Sequence, residues 1–138
     1  MDAADAIRVL IADDHDSIRS GLRAILSVDP GIVVVGEAVD GPDAIALALR
    51  LRPDVVILDN RMPGLDGVEV ARRIGARGAG RPAIVYFSTE IVPGHALQPG
   101  DRALMKDASA ADIVRTVVEA GRRIRRAQRA RSLDRPEN

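Results

Sequence analysis

The stretch DVVILDNRMPGLDG, residues 54–67, decides how the rest of the chain is read. Val55, Val56, Ile57 and Leu58 form a continuous apolar run, the pattern of a strand covered on both faces. Asp59 closes the run, and a Met-Pro-Gly loop turns the chain away. A lone carboxylate is costly to bury, so an acid in this position usually has a partner or a task. The plain alternative is an acid solvated at the strand's exit. What surrounds Asp59 decides between the two.

Strands and helices alternate around this stretch. Apolar runs predict further strands at IRVLIAD (7–13), IVVVGEA (32–38), AIVYFS (83–88) and RALMK (102–106), with the central strand at 54–59. Apolar residues at 18, 22, 25 and 26 have helical spacing within 16–28, and Asp29-Pro30-Gly31 ends that segment. Asp40 suits the N-cap of a helix running to about Leu51. Asp66 followed by Glu69 gives a start like a capping box for a helix to about residue 77. Ser109, with Asp112 at N3, caps a last helix whose stripe is Ile113, Val114, Val117, Val118 and Ile124. Residues 89–101 hold Pro93, Gly94, Pro99 and Gly100, all poor in a helix interior. That segment is expected to be a loop with at most a short turn of helix, and the most mobile part of the domain.

Repeated βα units predict a parallel sheet covered on both faces. The 138 residues suit one domain with one core. Tyr86 and Phe87 are the only aromatics, so that core must be aliphatic. No apolar run is long enough to cross a bilayer, and the start lacks the basic region of a signal peptide. With no cysteine, disulfides and thiolate metal sites are excluded, and a cytoplasmic address is the default expectation.

Charge is unevenly placed. Residues 1–121 hold 13 basic and 18 acidic side chains, a net of −5, while residues 122–138 hold seven Arg against Asp134 and Glu137, a net of +5. The division is read as a folded domain over 1–121 and an Arg-rich helix end, linker or tail over 122–138. Lys106 is the single Lys beside 19 Arg, which suggests that a compact ammonium is wanted there.

In open parallel sheets, ligands bind beyond the carboxyl ends of the strands. Asp13 and Asp14 end the first strand, Asp59 the third, Ser88 the fourth with Thr89 next, and Lys106 the fifth. The fold would gather all of them on one edge. Three carboxylates without a Cys or His cluster make a hard, oxygen-rich site suited to Mg²⁺. An ammonium and a hydroxyl opposite would suit a phosphoryl group. Asp54 is read as solvated at its strand's start, Asp66 as a helix cap, and His15 and His95 as plain surface or loop residues.

The set IADDH, DVVILDNRMPGLDG, FST and LMKD resembles the receiver domain of bacterial two-component response regulators, of the NarL/LuxR-type branch, over residues 7 to about 121. The resemblance implies a flavodoxin-like, doubly wound five-stranded parallel sheet in the order 2-1-3-4-5. It implies that Asp59 is the phosphoacceptor, Asp14 a direct ligand of Mg²⁺ (or Mn²⁺), and Asp13 a ligand acting largely through water. The backbone carbonyl of Arg61 would complete the protein's share of the metal shell. Lys106 and Ser88, with Thr89 beside it, would bind the phosphoryl oxygens. The implied role is a switch rather than an enzyme, accepting its phosphoryl group from a sensor histidine kinase. It allows a homodimer, no membrane contact, and DNA binding only through a C-terminal helix-turn-helix that lies outside this chain. Residues 122–138 would then lead from a receiver into the rest of a transcriptional regulator.

Two features depart from the pattern. Ser88 and Lys106 are 18 residues apart, about four fewer than is usual in this branch, so the helix expected between strands 4 and 5 is shortened or missing. The position three before Lys106, where the family carries an aromatic switch, is Ala103. The rival readings are a pseudo-receiver interaction module not regulated by phosphorylation and, more remotely, a phosphatase-like hydrolase using Asp59.

Overall fold

The computed structural model describes residues 5–76 and 80–134. Its elements run β1 (Ile7–Ala12), α1 (Asp16–Leu26), β2 (Ile32–Ala38), α2 (Gly41–Leu51), β3 (Val55–Leu58), α3 (Gly67–Gly75), β4 (Ala83–Ser88), β5 (Arg102–Met105) and α4 (Ala110–Asp134). The five strands form one all-parallel sheet in the order β2-β1-β3-β4-β5, the doubly wound flavodoxin-like arrangement expected. The predicted strands and helices are present, with ends that differ by one or two residues except at α4, which runs on to Asp134 through the segment read as helix end, linker or tail.

Side-chain alternation along the strands divides the core. Val9, Ile11, Ile57, Val85 and Phe87 pack with Leu22 and Leu26 of α1 and with Ile113, Val117 and Ala120 of α4. Leu10, Val56, Leu58, Ile84 and Tyr86 pack on the opposite face with Ala44 and Ala48 of α2 and Val70 and Ile74 of α3. Each strand's neighbours of alternate parity thus serve opposite layers, which is why the strands read as unbroken apolar runs.

The helix starts follow their local chemistry. Asp40 accepts from Asp43 N at 2.8 Å, and Ser109 Oγ accepts from Asp112 N at 3.1 Å. Asp66 accepts from Glu69 N at 2.8 Å. The capping box at α3 is only half made, because the Glu69 carboxylate turns to Arg72 and Arg73.

The connection from β4 to β5 carries no α-helix. It holds one 3₁₀ turn, Gly94–Ala96, as its Pro-Gly content requires. Its apolar side is closed by Val92, which is buried, with Ala96 and Leu97 packed against the same layer as Tyr86. Asp101 pins its end: the carboxylate takes two bonds of 2.9 Å from Arg81 and one of 3.0 Å from each of Ile84 N and Gln98 N. Ala103 lies on β5 beside Tyr86 of β4, exposed, with Met105 also exposed two residues on.

Asp54 corrects the reading of it as a solvated residue. It is buried, and its carboxylate accepts from Arg8 N at 2.9 Å and from Arg125 Nη2 at 3.0 Å. Arg125 also donates to Ala6 O at 2.7 Å. The last helix continues into the Arg-rich segment, and its first extra turn is tied to the amino-terminal edge of the sheet.

Candidate functional site

Asp13, Asp14, Asp59, Ser88 and Lys106 meet at the carboxyl edge of the sheet, as strand direction demands. The parallel ladder continues past the strand ends: Asp13 N donates to Ala38 O, Asp59 N to Ala12 O, and Lys106 N to Ser88 O. The backbone register therefore fixes these side chains relative to one another.

Asp59 is buried. Its Oδ1 accepts from Arg61 N at 3.1 Å, and its Oδ2 from Lys106 Nζ at 3.2 Å. Lys106 Nζ also stands 3.1 Å from Asp13 Oδ2. That contact is an ion pair without hydrogen-bond geometry, so Asp13 Oδ2 is buried with no hydrogen-bond donor. Asp14 is more open, with its side chain 30% exposed.

Burial raises the Asp59 pKa, the Arg61 N–H opposes this, Asp13 adds to the rise and Lys106 subtracts from it, leaving the carboxyl above its ordinary value. Burial pulls the Lys106 ammonium down, but Asp13 and Asp59 outweigh it, and its pKa lies above the usual lysine value. The site is thus a crowd of carboxylates held by one ammonium, with more negative charge than it neutralises.

One donor atom each from Asp13, Asp14, His15 and Asp59 lies within 4.8 Å of the others. A buried carboxylate oxygen without a donor, among oxygens this close, fits a dication. Ser88 is buried, and its Oγ accepts from Glu90 N at 3.1 Å. Thr89 is exposed at the rim. Arg61 N is held by Asp59, and an antiparallel bridge joins Arg61 to Asp66. Its guanidinium reaches Glu90 at 2.9 Å, linking the loops after β3 and β4.

Gly67 allows α3 to start hard against the acceptor. A Cβ there would stand 2.7 Å from Asn60 Cα and 2.8 Å from Asp59 O. No side chain fits without moving backbone.

Several residues here escaped the sequence reading. Arg19, on the buried face of α1 with Leu22 and Leu26, donates to Asp13 O at 2.7 Å and to Glu37 Oε1 at 3.2 Å. A charge on the apolar stripe of a helix was the available signal. His15 is more than a plain surface residue: its Nδ1 lies 3.1 Å from both Asp13 Oδ1 and Asp14 Oδ1. Its place directly after two acids was the clue. His95 lines a groove with Val68 and Arg72, away from the acids.

Comparison with known proteins agrees with this geometry. The family model described as response regulator receiver domain matches residues 9–118. The chain is 37% identical over 121 residues to the transcriptional regulatory protein LiaR of Bacillus subtilis, covering 84% of this chain and 56% of that one. It is 38% identical over 120 residues to the nitrate/nitrite response regulator protein NarL of Escherichia coli, covering 81% and 53%. It spans little more than half the length of these relatives. The signal receiver domain of NarL from Mycobacterium tuberculosis superposes with a TM-score of 0.78 at 35% identity, covering 86% of this chain and 98% of that one. Sheet order, strand-end acids and sequence agree, and the chain belongs to the response regulator receiver domain family, on its NarL/LuxR-type side.

Proposed function

We propose that this domain is a phosphorylation-dependent switch that takes a phosphoryl group onto Asp59 from the phosphohistidine of a sensor kinase. The observation that carries the reading is Lys106 Nζ set between Asp13 and Asp59, at 3.1 and 3.2 Å. It leaves a carboxylate flanked by one ammonium and two further acids, the arrangement a transferable phosphoryl group and a dication need together.

Each side chain then has a task. Asp59 supplies the attacking oxygen; a P–O bond forms as the P–N bond to the donor imidazole breaks, and that imidazole takes up a proton. Lys106, already against the acceptor, meets the charge on a phosphoryl oxygen. Ser88 Oγ accepts from Glu90 N, which leaves its own proton free to donate to a second oxygen. Asp13, Asp14 and Asp59, with the Arg61 carbonyl, would hold Mg²⁺ or Mn²⁺. The ion supplies charge neutralisation for the crowded oxygens. Residues 122–138 would connect the switch to an output, which in the longer relatives is a regulator of transcription. With Ala103 in place of an aromatic, that output would rely on the segment after Ser88, whose Arg61–Glu90 and Ser88–Glu90 contacts adjoin the acceptor.

The test is incubation with a small phosphodonor, acetyl phosphate, with and without Mg²⁺, for the parent and for Lys106→Arg. Arg keeps the charge but is planar and larger. Magnesium-dependent labelling of the parent, slowed at least tenfold in the variant, is the expected result. No labelling of the parent under any condition would instead favour an interaction module.

A further inference from the structure

We propose that His15 is a nitrogen donor to the dication site, so that a transition-metal dication such as Co²⁺ binds through a mixed nitrogen and oxygen set. The inference rests on the acidic cluster being a dication site. Its own evidence is the position of one imidazole.

His15 Nδ1 lies 3.1 Å from Asp13 Oδ1 and 3.1 Å from Asp14 Oδ1. Neighbouring ligands of a six-coordinate ion with bonds near 2.1 Å stand about 3.0 Å apart, and opposite ligands about 4.2 Å. The two short separations match neighbouring positions. The 4.8 Å that encloses all four donors needs only a small contraction to match opposite ones. A second observation points the same way. Asp13, with its side chain 2% exposed, has one oxygen on His15 and the other without a hydrogen-bond donor. Lys106 Nζ stands 3.1 Å from that oxygen without hydrogen-bond geometry, so the ammonium beside it leaves a lone pair for a dication.

The backbone holds the imidazole there. His15 N donates to Asp13 Oδ1 at 2.9 Å, so the turn that enters α1 folds the ring back over the acids. The ring is 62% exposed, so coordination carries little desolvation cost. Imidazole suits later first-row ions such as Fe, Ni, Cu and Zn, with Co between Fe and Ni in the affinity order, whereas Mg²⁺ and Mn²⁺ favour oxygen. Transition ions bind most sites more tightly than Mg²⁺. The diagnostic is therefore how far the preference depends on His15.

His15 makes no side-chain cap bond to α1, so replacing it removes a ligand without removing a cap. The experiment titrates the full chain with Co²⁺ and separately with Mg²⁺ by calorimetry at one fixed pH. It uses the parent, His15→Ala and Asp14→Ala, and records proton NMR of the Co²⁺ form. The chain has two histidines, so His95→Ala serves as the control. The preference for Co²⁺ over Mg²⁺ should fall at least tenfold in His15→Ala. A paramagnetically shifted imidazole N–H should vanish in that variant and persist in His95→Ala. An unchanged preference, or a shifted resonance that survives His15→Ala, overturns the proposal while leaving the dication site standing. Failure of both ions to bind the parent, or binding indifferent to Asp14→Ala, removes the dication site and His15's role with it.

Discussion

Tyr86 is the largest of the fully buried side chains among the described residues. It is fully buried on the layer that the β4–β5 connection covers, and its hydroxyl has no hydrogen-bond partner. Burial first, then the charge of Asp101, pushes its pKa up to about 12 from 10.0. The folded value lies above the unfolded one. The stability gained by keeping the phenol neutral is therefore fully present below pH 10 and is lost as pH rises through 12. Two pKa units correspond to at most about 3 kcal/mol. Tyr86→Phe should remove that part of the alkaline loss. At neutral pH it should be neutral or stabilising by up to about 1 kcal/mol, since the hydroxyl satisfies nothing. Tyr86 is the chain's one tyrosine, so absorbance near 295 nm reports it alone. A midpoint near 10 would contradict the burial described. At this scale the sequence showed Asp59 and Lys106 because strand ends and one unusual lysine marked them. It hid the fate of Asp54, whose partner Arg125 lies 71 residues away. Local pattern carries no information about a pair so distant.

At the scale of elements, the sharpest constraint is the start of α3. Gly67→Ala would press a methyl group into the backbone of Asp59 and Asn60, which cannot rotate away as a side chain could. Such overpacking costs about 1–3 kcal/mol. The midpoint of unfolding should fall, and labelling of Asp59 should slow. Gly21→Ala is the control: nothing lies within 4 Å of its Cβ position in α1, and helix propensity should stabilise it by roughly 0.5–1 kcal/mol. Equal effects at both sites would refute the packing argument. The β4–β5 connection was legible as a loop from its Pro-Gly pairs. Its anchoring was not, because Asp101 works through Arg81 and β4 backbone rather than through any local motif. Hydrogen exchange should therefore divide the segment. Amides of Ile91 and Val92 should exchange fast, while Gln98 and Asp101, which donate to Asp101 Oδ2 and Gln98 O, should exchange slowly. Uniformly fast exchange through Asp101 would show that the clamp does not hold.

Across the whole molecule, two edges of one sheet do different work. The carboxyl edge gathers the acids, and at the amino edge Arg125 of the last helix is tied to Asp54 and Ala6 O at the starts of β3 and β1. Arg125→Ala should cost about 3 kcal/mol, because it strips a buried carboxylate of its cation. Arg126→Ala, an exposed neighbour, should change stability by less than about 0.5 kcal/mol. Chemical denaturation measures both, and a small loss at Arg125 would mean that the Arg-rich helix is not part of the folded unit. The parallel sheet was legible at this scale from alternating strand and helix signals, and its strand order from the resemblance to receiver domains. The reach of α4 was not, since an Arg-rich run reads alike as helix, linker or tail. The central claim concerns the carboxyl edge, and one measurement addresses it directly: intact mass after acetyl phosphate and Mg²⁺, for the parent and for Asp59→Asn. The account predicts a single added phosphoryl group on the parent and none on the variant. Equal modification of Asp59→Asn would place the chemistry elsewhere and contradict it.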